Sequence, residues 1–229
     1  MPNFVYHYTS LQALLGIIQS HKLEFHGSRY DTMNDPTDCT FASEFVMPKI
    51  MTALEGSDLS DKQKEFVEMF PYIVSFSEKK DDDLMWRHYG SQVCLELDSK
   101  IVRNEIECLC GKGEFIYYNK CEYCNDLNVD EAFELLVNRL KDFSTDNVPT
   151  DAQIAMAFIK RDAFKREEEW RIIWLDAMGL IASGMNNGNC NIFDCEIPNG
   201  VSSYIRGNDI VLYKKFYLPA KALKGIILT

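Results

Sequence analysis

The sequence predicts an α+β fold in one domain, and three observations carry that prediction. Strand-like and helix-like segments are mixed without a regular βαβ rhythm. The strand-like segments crowd into the last third of the chain. No linker composition divides the 229 residues, so the domain is expected over 1–229, with "FSTDNVPTD" the one weak boundary signal.

Each element follows from its own residues. "FVYHYT" is β-branched and aromatic and reads as a strand. In "TSLQALLGIIQSHK", Leu11, Leu14, Leu15 and Ile18 recur at helical spacing, and Thr9 with Gln12 fits a capping box that starts the helix at Ser10. "LEFHG" is a short strand, and Asp35 before Pro36 marks a helix start. A second helix after that start and another ending at Phe70 are expected, separated by "EGSDLSDKQ". "YIVSFSE" alternates like a half-buried strand, "DDDLMWRHYG" like a short capped helix, and "QVCLELD" like a strand in which Cys94 acts as a small hydrophobe. "GEFIYYN" is a strand, and "VDEAFELLVNRLKDF" and "DAQIAMAFIKRD" are helices. After an Asn187-Gly188 turn come the strands "NIFDCEI", "DIVLYKKFYL" and "LKGIIL".

Composition narrows the function classes. The formal net charge of −11 opposes general nucleic-acid binding, although a local basic groove stays open. No apolar run has the length of a membrane helix, and "MPNFVYHYTS" has neither a basic start nor an apolar signal core. The expectation is therefore the cytoplasm, no membrane partner, and eight cysteines that are mainly reduced. P-loops, dinucleotide-binding glycine turns, nucleophile elbows and His-Glu-x-x-His sites are absent from the sequence.

The stretch "KREEEWRIIWL" raises the central question, because three carboxylates run into a strand-like segment. Alternation puts Trp170, Ile172 and Trp174 on one face, and Glu167, Glu169 and Arg171 on the other. Two carboxylates beside a cation at a cleft suit an oxocarbenium-like transition state, where one preorganised group is worth about 3–4 kcal/mol. The plainer alternative is a solvated edge that discourages strand pairing. Ser75 and Ser77 share a strand face and could bind an amide or ribose, or simply face solvent. His7 ends a strand just before a helix, where it could orient a hydroxyl or phosphate, or be a satisfied, partly buried ring. In "MWRHYG", Trp86 and Tyr89 read as core anchors, while Arg87 or His88 could reach a phosphate. Cys108, Cys110, Cys121 and Cys124 fall within 17 residues and could ligate zinc structurally, although the Cys-x-Cys spacing is unusual for it.

Taken in order, "YHYTS", "NDP", "SFS", "MWRHYG" with "LELD", and "EEEWR" resemble a bacterial family known as domain of unknown function twenty-nine seventy-one, from about Phe4 onward. There is a fainter similarity to the ADP-ribosyltransferase superfamily, which implies split sheets forming an NAD cleft, with helical insertions. By that resemblance His7, with Thr9 beside it, would hold the adenosine-side ribose. Ser75 and Ser77 would support the nicotinamide ribose, or Tyr30 or Tyr89 would stack the nicotinamide instead. Glu169, beside Arg171, would stabilise the oxocarbenium and Glu167 would orient the acceptor. The implied co-substrate is NAD; the acceptor (protein, nucleic acid or water) stays open, and a toxin or anti-phage role follows only from the superfamily's habits. The rival readings are a non-catalytic nucleotide- or nucleic-acid-binding module and a zinc-stapled protein-interaction domain.

Overall fold

The computed structural model describes residues 1–19, 21–33, 71–89, 92–112, 114–125, 128–140, 154–175, 201–207 and 209–229. The Asp35–Pro36 helix start, the helices expected up to Phe70, the "FSTDNVPTD" boundary and the Asn187-Gly188 turn with "NIFDCEI" lie outside the described residues.

Twelve strands are described: β1 Phe4–Thr9, β2 Ile18–Gln19, β3 Lys22–Arg29, β4 Tyr72–Ser77, β5 Val93–Asp98, β6 Ile116–Lys120, β7 Glu122–Cys124, β8 Ile159–Arg161, β9 Glu169–Trp174, β10 Val201–Arg206, β11 Asp209–Pro219 and β12 Leu223–Leu228. Four α-helices of more than one turn are described as well: α1 Leu11–Ile17, α2 Asp83–His88, α3 Ser99–Cys110 and α4 Val129–Leu140. The result is a mixed α/β domain built on a curled antiparallel sheet. Ten strands form that sheet, along the path β10-β11-β3-β4-β1-β5-β12, with β2 on β3, β9 on β4 and β6 on β9; β7 and β8 make a separate parallel pair.

The helices start where side chains can satisfy free backbone N–H groups. Ser10 Oγ accepts from Ala13 N at 3.1 Å and caps α1. The helix therefore begins at Leu11, one residue later than the capping-box reading, because β1 holds Thr9 in the ladder opposite Val93. Asp82 accepts from the amides of Leu84 and Met85, and Asp98 from those of Lys100 and Ile101, capping α2 and α3. Such caps contribute about 1 kcal/mol each.

One large core lies on the face of the sheet that α1 and α3 cover. Val5, Phe25, Val74, Phe76, Leu95, Trp170, Ile172 and Phe216 meet Leu14, Ile17, Val102 and Ile106 there. Fully burying each such side chain is worth about 1.5–3 kcal/mol. The opposite face carries smaller clusters. One gathers Tyr6, Tyr8, Met85 and Cys94, and another gathers Ile73, Ile154, Phe158 and Ile173.

The sheet forks at β4. One edge of β4 pairs with β9 along its whole length, Tyr72 opposite Trp174 through Ser77 opposite Glu169. The other edge is shared, with β3 meeting Tyr72 and Ile73 while β1 meets Ser77. His7 spans this fork, its Nδ1–H donating to the Ser75 carbonyl at 2.9 Å.

Two expectations are corrected. "DAQIAMAFIKRD" is not one helix; a helical turn over 154–156 gives way to β8, because Ile159–Arg161 pair in parallel with Glu122–Cys124. Glu167 is not on the strand with Glu169; it ends a 3-10 helix over Asp162–Glu167, and β9 begins only after Glu168.

Candidate functional site

The acidic run converges on a lysine that sequence reasoning passed over. β8 sets Lys160 opposite Tyr123 of β7, and both side chains reach Glu169. Lys160 Nζ donates to Glu169 Oε2 at 2.5 Å and to Glu167 Oε2 at 2.7 Å. Arg171, two residues along the same face of β9, donates through Nε to Glu169 Oε1 at 2.7 Å and through Nη2 to Oε2 at 3.1 Å. Its Nη1 also donates to the Ala157 carbonyl at 2.7 Å. The Tyr123 hydroxyl accepts from the Glu169 amide at 2.8 Å. All four charged side chains are buried, Arg171 completely.

The local backbone explains how the three glutamates part. Glu168 is left-handed, with φ 43°, and ends the 3-10 helix. Its side chain turns outward to Lys79 at 2.7 Å, and its carbonyl accepts from Glu78 N. A non-glycine residue in that conformation costs about 1–3 kcal/mol and persists only when its surroundings hold it. Ser77 is the second fastener, because its buried Oγ donates to the Glu167 carbonyl at 2.6 Å and accepts from Lys79 N at 2.9 Å.

Electrostatics separate the two inner carboxylates. Burial pushes the Glu169 carboxyl upward, but the Arg171 guanidinium and the Lys160 ammonium outweigh it and hold the group at about 2. Both of its oxygens are engaged. Glu167 is different, since among the described residues its Oε1 receives the Tyr89 hydroxyl alone, at 3.3 Å. Tyr89 ends α2 and is 42% exposed. Burial and the charges of Glu169 and Glu167 raise its hydroxyl above the ordinary tyrosine range.

The expected site residues therefore divide between the two faces of the sheet. Ser75, Ser77, Glu169 and Arg171 lie on one face, and Glu167 and Tyr89 join them there. The row Tyr6–Ser77–Glu169 crosses β1, β4 and β9 on that side, so His7 and Thr9 point to the other. His7 packs edge-on against Phe25, with ring centroids 5.1 Å apart, and lies 5.7 Å from Phe76. Burial lowers its pKa, outweighing the bond to Ser75. Tyr30 packs against the cluster containing Ile73 and Ile173. Trp86 packs on Tyr8 and donates to Asp81 at 2.9 Å, while the exposed Arg87 donates back to the Asp83 carbonyl.

The cysteines separate into two environments. Cys108 and Cys110 end α3, exposed, whereas Cys121 precedes β7 and Cys124 ends it, both buried. Cys110 Sγ donates to the Ile116 carbonyl and Cys124 Sγ to the Lys160 carbonyl. Among the described residues no three His, Cys, Asp or Glu side chains are grouped to hold a metal. Also among those residues, no helix is long and apolar enough to cross a membrane.

Residues 85–172 match the model of the family described as "Protein of unknown function (DUF2971)". The match supports that family for this segment, which is less than half of the 229-residue chain. The matched segment contains Tyr89, Lys160, Glu167, Glu169 and Arg171, and so spans every side chain of the ion cluster, while His7, Ser75 and Ser77 precede it. No curated protein and no solved structure matches the chain.

Proposed function

We propose that this protein is an NAD-using, ADP-ribosyltransferase-like enzyme in which Glu167, rather than Glu169, meets the reacting ribose. The observation that carries the reading is the unequal engagement of two neighbouring carboxylates. Lys160 and Arg171 occupy both oxygens of Glu169, whereas among the described residues Glu167 Oε1 holds one long bond, from a partly exposed tyrosine. A ribose hydroxyl that replaces Tyr89 would find a carboxylate already aimed by Lys160. As the bond from ribose to nicotinamide breaks, positive charge develops on the sugar and the Glu167 oxygen stabilises it. Glu169 is the strut of this arrangement, keeping the two cations in place without touching the sugar. Because the four formal charges sum to zero, the stabilisation rests on proximity to Glu167 and not on a net negative pocket.

One observation favours a rival. A charge-balanced, buried cluster is also what a non-catalytic nucleotide-binding module would carry as structure. Incubation with NAD and chromatography of released nicotinamide separates the two. The enzyme reading expects release by the wild type and a loss of about a hundredfold in Glu167→Gln. It fails if the wild type releases none, or if Glu167→Gln works at the wild-type rate. Calorimetric binding of NAD without turnover would instead support the module.

A further inference from the structure

On β3, β10 and β11, away from the ion cluster, a row of rings and cations faces outward. Strand alternation turns Leu23, Phe25, Phe216 and Leu218 into the large core and leaves Lys22, Glu24, His26, Tyr213, Lys215 and Tyr217 on the other side. The register sets Lys215 opposite His26 and Tyr217 opposite Glu24, and places Tyr204 of β10 opposite Val211 of β11. His26 stacks on Tyr213, with centroids 3.9 Å apart and planes 21° from parallel. Tyr204 follows at 5.6 Å from Tyr213 and is 40% exposed. Lys22 Nζ stands 5.6 Å from the Tyr217 ring centre.

Among the described residues this face carries two carboxylates, Asp209 exposed at the start of β11 opposite Arg206, and Glu24 beneath the cations and rings. Glu24 is buried, and its Oε1 is taken by Lys215 Nζ at 2.9 Å and His26 Nε2 at 3.0 Å. Around the His26–Tyr213 stack the groups that reach solvent are therefore aromatic or cationic, with Asp209 two registers along β11 beside Arg206. Exposed rings are costly unless something covers them, and bases stack on such rings while lysines meet phosphates.

We propose that this face binds single-stranded nucleic acid, the bases stacking on Tyr204, Tyr213 and His26 and the backbone phosphates meeting Lys22 and Lys215. The chain's net charge of −11 does not forbid it. At physiological salt charges are screened beyond about 8 Å, so lysines in contact outweigh carboxylates elsewhere on the surface. A duplex keeps its bases stacked internally and offers the rings little, so single strands are preferred. The proposal rests on no part of the transferase reading.

The test is fluorescence anisotropy of a labelled oligothymidine of about ten nucleotides with the full chain, in the absence of NAD. Binding should be measurable below about 100 µM protein at about 50 mM salt, and weaker for the matching duplex. Tyr213→Ala or Tyr204→Ala should weaken it by about tenfold or more. Lys22→Glu with Lys215→Glu should abolish most of its salt dependence, a slope of about −1.4 for two phosphates. Tyr204 is exposed, so its variant keeps the test informative if Tyr213→Ala misfolds. Absence of binding by the wild type, equal binding by folded Tyr204→Ala and the double-lysine variant, or preference for duplex would each overturn the proposal. Because no NAD is present, a negative result leaves the Glu167 chemistry to its own assay.

Discussion

Lys160 Nζ lies 2.5 Å from Glu169 Oε2, a buried contact between two strands of different sheets. It ties the parallel pair β7–β8 to the antiparallel sheet through β9. Two charges withdrawn from water regain little unless each finds several partners, and here each does. Lys160 also meets Glu167, and Glu169 also meets Arg171.

Removing the lysine should expose how much depends on it. Lys160→Met keeps the length of the side chain but leaves Glu167 and Glu169 buried with less compensation. The expected cost is about 3–5 kcal/mol in urea denaturation, because breaking a buried pair leaves an uncompensated charge. A loss below about 1 kcal/mol would mean that water reaches the cluster.

Acid should act on the same group. The Glu169 carboxyl is held at about 2 against an ordinary 4.5, so the folded state keeps it ionised where the unfolded chain protonates it. Its contribution is therefore fully present above about pH 4.5 and is lost as pH falls through about 2. Stability against pH should decline less steeply across that window in Glu169→Gln than in the wild type. Parallel profiles would show that Glu169 is not the titrating group.

Much of β9 was legible because its alternation is strict: Trp170 and Ile172 enter the large core while Glu169 and Arg171 turn the other way. Local signals also gave β1, β4, β5, β11, β12 and α4. Lys160 was not legible. "IAMAFIK" favours helix locally, and only pairing with β7 makes Ile159–Arg161 a strand. The face of His7 could not be read either, since it depends on the register Tyr6 opposite Ser77 between distant segments. α3 carries signals of its own in the sequence, for Asp98 caps it and Val102 and Ile106 recur at helical spacing.

Ser77 gives a milder test of how the glutamates are fastened. Its hydroxyl serves the Glu167 carbonyl and the Lys79 amide at once, and the residue is 1% exposed. Ser77→Ala leaves the carbonyl without a partner, while water can reach the partly buried amide. We expect a loss of about 1–2 kcal/mol in chemical denaturation, with Ser77→Thr closer to the wild type. Ser77→Ala as stable as the wild type would show that the turn at Glu168 needs no fastening.

His7 offers a prediction about protonation. A carbonyl can only accept, so the bond to Ser75 fixes the proton on Nδ1 and leaves Nε2 as the bare nitrogen. Burial lowers its pKa below the ordinary 6.5, so the neutral ring persists where a free histidine would charge. The sign follows: its contribution to stability is full above 6.5 and shrinks as pH falls from there through the lowered value. Long-range proton–nitrogen NMR at about pH 6 should show the Nδ1–H tautomer, with Nε2 unprotonated. An imidazolium pattern with a midpoint at or above 6.5 would mean that the ring is solvated and that the fork of the sheet is open to water.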